Sequence, residues 1–167
     1  MLREEEIIVE PPPAGAGDAK ARDSMENRMK QETLDFGEGS VEITIIDNII
    51  YMKTLRSYTD AIAMKMIHYL DNIIDQIPQA TIRIWDSRNI HPNNFILTSG
   101  CVRRVVEWSK SVNAKKPGSQ VYFITSRSVL FGISRMYQMQ ASNDQMEVVV
   151  LNNPDQLPAA IRKKIPF

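Results

Sequence analysis

From Val41 onward, short apolar runs alternate with segments whose apolar residues recur every three or four positions, and this alternation constrains the fold more than any other feature of the chain. The run VEITIIDNIIYMKTL predicts two strands joined by a tight turn at Asp47-Asn48. Three more strands are predicted at ATIRIWD, QVYFIT and MEVVVL, and a helical pattern precedes or follows each of them. The predicted element order is therefore ββαβαβαβα.

This order predicts an α/β fold built on a mixed sheet. Successive strands separated by helices are joined by right-handed crossovers and lie parallel to each other, whereas the leading hairpin is antiparallel. The run QVYFIT is almost continuously apolar, which is typical of a central strand covered on both faces. We therefore expect an N-terminal antiparallel hairpin followed by mainly parallel strands.

The helices are bounded by polar residues and prolines. Ser57 precedes the first helix and Pro78 marks its end. The second helix is predicted from about Asn94 to Asn113, the third after Ser126 or Arg127, and a final helix from Asn153-Pro154.

Residues 1–40 differ in character from the rest of the chain. They are rich in Pro, Ala, Gly and charge, with ten acidic and five basic residues. Such a segment buries too little apolar surface to offset its ordering entropy, so we predict a disordered or extended acidic tail over 1–40 and one domain over 41–167. The basic residues of that domain are spread over several elements, which argues against a nucleic-acid partner.

Several features point to the cytoplasm. Cys101 is the only cysteine, so neither an intramolecular disulfide nor a cysteine-based zinc cluster is expected. No apolar run approaches the roughly 20 residues of a membrane span, and the N-terminus MLREEEIIVEPPP lacks the apolar core of a secretory signal. We therefore predict a cytoplasmic protein without a membrane span.

No pattern for dinucleotide binding, phosphate binding, serine hydrolysis or zinc proteolysis occurs in the chain. His68 lies in a helix and has Asn72 four positions on, where a second metal ligand would be expected. His91, Asp86 and Ser87 are near neighbours in sequence, and such neighbours rarely form a catalytic triad. We therefore predict a protein without enzymatic activity, cofactor or metal.

Candidate functional residues lie where the predicted parallel strands end, because open sheets of this kind bind ligands and partners outside the carboxyl ends of their strands. Two interpretations stay open: these residues cap the following loop or helix, or they form a ligand, partner or phosphoryl site. A phosphate on Ser87 could pair with Arg88 and Arg127. The residues assigned to this partner-binding or switch site are Asp86, Ser87, Arg88, Asn94, Ser126 and Arg127.

The runs TIRIWDSRNI, KKPGSQVYFIT, FGISRMYQMQA and MEVVVLNNPDQLPAAI, together with the element order, resemble the STAS domain of sulfate transporters and bacterial anti-sigma-factor antagonists. In the antagonists this strand leads into a D-S-S-G-[LIV] motif whose second Ser is the kinase target. Here Asp86-Ser87 matches the first two positions, but Arg88 and Asn89 replace the second Ser and the Gly. The resemblance implies a regulatory module without chemistry of its own, with Ser87 as the only candidate phosphosite.

Three hypotheses for function follow. The first is a non-catalytic STAS-like module that binds a protein partner such as a kinase, an anti-sigma factor or a signalling enzyme, with homo-oligomerisation left open. The second is a carrier or sensor for a small ligand, such as a lipid or nucleotide, with an apolar pocket under the Phe95 and Phe131 helices. The third is an assembly component that uses the N-terminal tail as a tether.

Overall fold

The computed structural model describes residues 29–141 and 146–167, apart from the side chains of Val129 and Phe131. Within these residues the chain forms eight strands and four α-helices. The strands are β1 (Met29–Asp35), β2 (Ser40–Ile46), β3 (Ile49–Leu55), β4 (Tyr58–Thr59), β5 (Ile82–Asp86), β6 (Phe95–Ile96), β7 (Gln120–Ile124) and β8 (Glu147–Leu151). The helices are α1 (Asp60–Ile74), α2 (Ser99–Lys115), α3 (Ser128–Ala141) and α4 (Ala159–Arg162).

Six of the strands form one mixed sheet in the order β1-β2-β3-β5-β7-β8. The first three are antiparallel, and β3, β5, β7 and β8 are parallel. The predicted α/β fold class with a mixed sheet and an N-terminal hairpin is thus confirmed. Strand β7 is an interior strand between β5 and β8, as its apolar sequence predicts.

The hairpin between β2 and β3 has the predicted two-residue turn. Ile46 pairs with Ile49, so Asp47 and Asn48 alone connect the strands, and Asp47 adopts a φ of 54°. Asp and Asn tolerate this left-handed conformation better than most residues do, which explains why the turn falls here.

The predicted boundary of the tail at residue 40 differs from the structure. Met29–Asp35 forms a strand that pairs antiparallel with Ser40–Ile46, so the sheet begins inside the segment that we expected to be unpacked. Its sequence MKQETLD carries little apolar signal because this strand is mostly exposed. Residues 1–28 of the predicted tail lie outside the described residues.

The two faces of the sheet are covered differently. Helices α1, α2 and α3 pack on one face, where the core includes Met52, Met66 and Val121. The other face is covered by the segment after β8, which contributes Leu157 and Ile161. The strand order advances in one direction through the parallel strands, and right-handed crossovers then place all three helices on the same side.

Two helices begin later than predicted. Thr59 rather than Ser57 caps α1, because its side chain accepts a hydrogen bond from the Ile62 amide. Helix α2 begins at Ser99 rather than near Asn94, since Thr98 is its N-cap.

The predicted final helix is split in two. It consists of a 3₁₀ turn over Pro154–Gln156, capped by Asn153, and the short helix α4. Within the described residues, no helix combines the length and the apolar character needed to cross a membrane.

Candidate functional site

The end of β5 directs neighbouring side chains to opposite faces of the sheet. Successive residues of a strand alternate between faces. The Asp86 carboxylate therefore lies on the face that carries the C-terminal segment, whereas Ser87, just beyond the strand, lines a pocket on the helical face. The two residues that the sequence presents as one motif thus belong to two separate environments.

Asp86 is 1% exposed and has four hydrogen-bond donors around its carboxylate. The Tyr51 hydroxyl donates to Oδ2 at 2.8 Å, and the Arg88 backbone amide donates to Oδ1 at 3.1 Å. The Arg88 guanidinium completes the set, with Nε 2.9 Å from Oδ1 and Nη2 2.7 Å from Oδ2. This bidentate pairing occupies both carboxylate oxygens, so Asp86 holds the loop after β5 in place.

Phe167 covers this ion pair. The Arg88 guanidinium lies 5.8 Å from the centre of the Phe167 ring, and the same ring packs edge-on against Tyr51 at 5.5 Å. Burial, followed by the charge of Asp86, raises the pKa of the Tyr51 hydroxyl above its ordinary value of 10.0, so Tyr51 stays a neutral donor to the carboxylate.

Ser87 is enclosed. Its backbone amide donates to the Ile124 carbonyl at 2.9 Å, its carbonyl accepts from the Ile90 amide at 3.2 Å, and only 7% of the residue is exposed. These bonds extend the pairing of β5 with β7 by one residue and turn the Ser87 side chain towards the pocket.

The pocket lies on the helical face at the carboxyl end of the parallel strands. It is partly open to solvent and has a cavity volume of about 50 Å³. Strands β3, β5 and β7 form its floor, helices α2 and α3 form its walls, and the small parallel pair of β4 and β6 forms its rim. The lining residues are Thr54, Tyr58, Trp85, Ser87, Phe95, Leu97, Val102, Val105, Phe123, Ile133, Ser134 and Tyr137.

Aromatic rings hold the pocket's shape. Tyr58 stacks on Phe95 with ring centres 5.6 Å apart and meets Trp85 edge-on at 6.0 Å. On the opposite wall Phe123 packs edge-on against Tyr137 at 4.9 Å. Burial raises the pKa of the hydroxyls of Tyr58 and Tyr137, so both rings line the pocket in the neutral state.

A buried cation lies behind the Tyr137 wall. Arg83 is 0% exposed, and its Nη1 donates to the Ser109 hydroxyl at 3.1 Å. The Tyr137 hydroxyl also donates to Ser109, and the Arg83 guanidinium lies 5.1 Å from the centre of the Trp108 ring. Burial lowers the pKa of Arg83, but a guanidinium remains protonated at any physiological pH.

The other predicted site residues lie apart from the pocket lining. The Asn94 side chain donates to the Arg56 carbonyl at 3.1 Å from within the 3₁₀ turn Pro92–Asn94, so its predicted place at the start of a helix is wrong. The reason is that residues 95–96 pair with β4 instead of entering a helix. Ser126 and Arg127 are exposed in the three-residue connection between β7 and α3.

The pocket residues were largely missed by sequence reasoning. Phe95 was expected at an apolar pocket and lines it, although from the strand β6 and not from a helix. The Phe131 side chain, expected to share that pocket, lies outside the described residues. The sequence signal that could find these residues is the alternation of side-chain direction along the strands IRIWD and QVYFI, which places Trp85 and Phe123 on the same face of the sheet.

Among residues 29–141 and 146–167, no group of three or more His, Cys, Asp or Glu side chains is arranged to hold a metal ion. Comparison of the chain with protein-family models, with curated proteins and with solved structures gives no match.

Proposed function

We propose that this domain is a binding module for a small, largely apolar ligand and acts as a carrier or sensor of that ligand. The observation that carries the proposal is the pocket at the carboxyl end of the sheet. Of the twelve described residues that line it, nine are aliphatic or aromatic, and the other three, Thr54, Ser87 and Ser134, carry a hydroxyl. Ligand sites in proteins have this composition: an apolar wall for affinity and a few polar groups for orientation.

The position of the pocket supports the same proposal. Parallel sheets bind ligands beyond the carboxyl ends of their strands, and Thr54, Trp85 and Phe123 are each the last residue but one of a strand, in three adjacent strands. Among the residues that the structure describes, none that lines the pocket is charged. The described lining also lacks His, so Ser87 and Ser134 have none of the usual general bases beside them in the pocket, and binding is favoured over catalysis.

Native mass spectrometry of the freshly purified chain tests the proposal. We expect a mass above that of the polypeptide, which disappears when the protein is denatured. Ser134→Phe fills the pocket with a ring and should abolish the added mass, whereas Ser126→Phe, at an exposed position outside the pocket, should leave it unchanged. If Ser134→Phe retains the adduct, the ligand binds elsewhere and the proposal fails.

A second candidate is a non-catalytic regulatory module of the STAS type that binds a protein partner. Its support is the mixed sheet with the element order on which the resemblance rests, together with the exposure of Ser126 and Arg127 at the carboxyl edge. A phosphoswitch at Ser87 is disfavoured, since a kinase would have to reach a residue that is 7% exposed and faces an apolar pocket.

Affinity capture with matched charge reversals tests this second candidate. Arg127→Glu should release a captured partner if the edge is the contact surface. Arg103→Glu, an exposed arginine on α2, should retain that partner. A partner held equally by both variants would place the contact on another surface and contradict the assignment of Arg127.

A further inference from the structure

We propose that the pocket selects a ligand whose polar end is a carboxylate, received by the Tyr137 hydroxyl and supported by the buried guanidinium of Arg83. This inference rests on the proposed ligand-binding function and names the chemical class of the ligand. It follows from the hydrogen-bond donors that lie behind the Tyr137 ring, because these donors outnumber the acceptors within their reach.

Arg83 supplies the donors that lack acceptors. Its Nη1 donates to Ser109, and its Nη2 has the weakly accepting sulfur of Met146 as a neighbour at 3.6 Å. Its Nε has no hydrogen-bond partner within residues 29–141 and 146–167. Among the described residues, no carboxylate forms an ion pair with it, and the face of the Trp108 ring is the only aromatic partner.

The hydroxyls of Ser109 and Tyr137 link Arg83 to the pocket through hydrogen bonds. Ser109 accepts from both Arg83 and Tyr137. A hydroxyl rotates to suit its partners, so Ser109 can instead donate to the Tyr137 oxygen, which frees the Tyr137 proton for an acceptor in the pocket. With that acceptor present, Arg83 donates to Ser109, Ser109 donates to Tyr137, and Tyr137 donates to the ligand. Each of the two hydroxyls then donates one hydrogen bond and accepts one.

The charge of the acceptor follows from the charge of Arg83. A buried cation without an anionic partner carries a desolvation penalty that a nearby anion reduces. None of the described lining residues is acidic, so none repels a carboxylate. The nine apolar and aromatic lining residues would enclose the hydrocarbon part of the same molecule.

A comparison of octanoate with 1-octanol tests the inference, since the two probes share a chain length and differ in charge. The intrinsic fluorescence reports binding, because the two tryptophans are Trp85 in the pocket lining and Trp108 against Arg83. We expect octanoate to bind the full chain at least about tenfold more tightly than 1-octanol. Tyr137→Phe should remove most of this preference and leave the affinity for 1-octanol nearly unchanged.

Tyr122→Phe is the matched control, because Tyr122 lies on the opposite face and its hydroxyl donates to Gln120. It should keep the preference for octanoate. Equal affinity of wild type for the two probes, or tighter binding of 1-octanol, overturns the carboxylate inference and leaves the ligand-binding function intact. Absence of binding by either probe contradicts both. The wild-type comparison needs no variant, so it decides the inference even if Tyr137→Phe does not fold.

Discussion

The guanidinium of Arg88 folds back onto the carboxylate of Asp86, two residues earlier, and pairs with both of its oxygens. The Asp86 side chain is 1% exposed, whereas 32% of the Arg88 side chain is exposed. The pair therefore lies at the boundary between the sheet and solvent, with the Tyr51 hydroxyl beneath it and the Phe167 ring against it. This arrangement connects the end of β5 to the last residue of the sequence.

Removing the Asp86 carboxylate should destabilise the fold. Asp86→Ala leaves the Tyr51 hydroxyl and the Arg88 guanidinium without their shared acceptor, and breaking a buried pair of this kind costs about 3 kcal/mol. Urea unfolding measures the loss. Asp75→Ala is the control, because Asp75 is exposed and lies 4.0 Å from Lys115, and such a pair contributes less than about 1 kcal/mol. Equal losses for the two variants would contradict the assigned role of Asp86.

Two glycines should respond oppositely to alanine. A Cβ at Gly39 would lie 2.1 Å from the Ser57 carbonyl oxygen and 2.7 Å from Cδ1 of Ile62, so Gly39→Ala forces backbone apart and should cost about 2 kcal/mol or more. Gly132 lies in α3 with nothing within 4 Å of an added Cβ, so Gly132→Ala should stabilise by about 0.5–1 kcal/mol. Thermal unfolding of the two variants beside wild type distinguishes these outcomes, and a tolerated Gly39→Ala would contradict the close approach.

The Cys101 thiol should be unreactive in the native chain. Burial, followed by the charge of Asp60, raises its pKa to about 11. The thiolate fraction at pH 8 is then on the order of one in a thousand, against about one in ten at the ordinary pKa of 9.0. Iodoacetamide alkylation, followed by mass spectrometry, should be about 100-fold slower than in the urea-unfolded chain.

The same experiment has an internal control. Asp60→Asn removes the neighbouring negative charge, so alkylation of Cys101 should be faster in this variant than in wild type. Rapid alkylation of native wild type at pH 8 would show that the thiol is accessible and ionised.

The ionised Asp60 carboxylate should stabilise the fold near neutral pH and lose this effect at acidic pH. Desolvation opposes ionisation of its carboxyl group, but the hydrogen bonds from the Thr98 hydroxyl at 2.6 Å and the Thr98 amide at 2.9 Å outweigh it, so the pKa of Asp60 lies below its ordinary 3.8. A depressed folded-state pKa gives stability that is present above the unfolded pKa and is lost as pH falls through the folded pKa. Asp60→Asn should therefore be less stable than wild type at pH 6, and the difference should shrink towards pH 2.

Urea unfolding of wild type and Asp60→Asn at several pH values measures this difference. Asp75→Asn serves as the control, since Asp75 is exposed and accepts no hydrogen bond comparable to those from Thr98. A difference between wild type and Asp60→Asn that stays constant from pH 6 to pH 2 would show that the Asp60 charge does not stabilise the junction of α1 and α2.

Sequence reasoning reached the candidate site only in part. It located the end of β5 at Asp86 and Ser87 because the apolar run stops there. It treated the two as one site, although the alternation of side chains already assigns them to opposite faces. It missed Ser134 and Tyr137, because the strand–helix pattern does not indicate which helix positions face which strand residues.

Local sequence pattern was enough to predict the strands β2, β3, β5, β7 and β8, the three helices between the last four of them, and the class of the sheet. Apolar periodicity is a local property, and a period of two or of about 3.6 residues is visible in any window of the chain. The turn at Asp47-Asn48 is equally local, since it depends on the conformations that two consecutive residues tolerate.

Contacts between residues distant in sequence depended on how the elements pack. Strand β1 exists because Met29–Asp35 pairs with β2, although its own sequence is mostly polar. Arg83 meets Ser109 across 26 positions, and Tyr137 reaches the same hydroxyl from the next helix. Such contacts depend on the packing of α2 and α3 on the sheet, and no local pattern encodes that packing. The pocket and the charge behind it are therefore properties of the assembled fold.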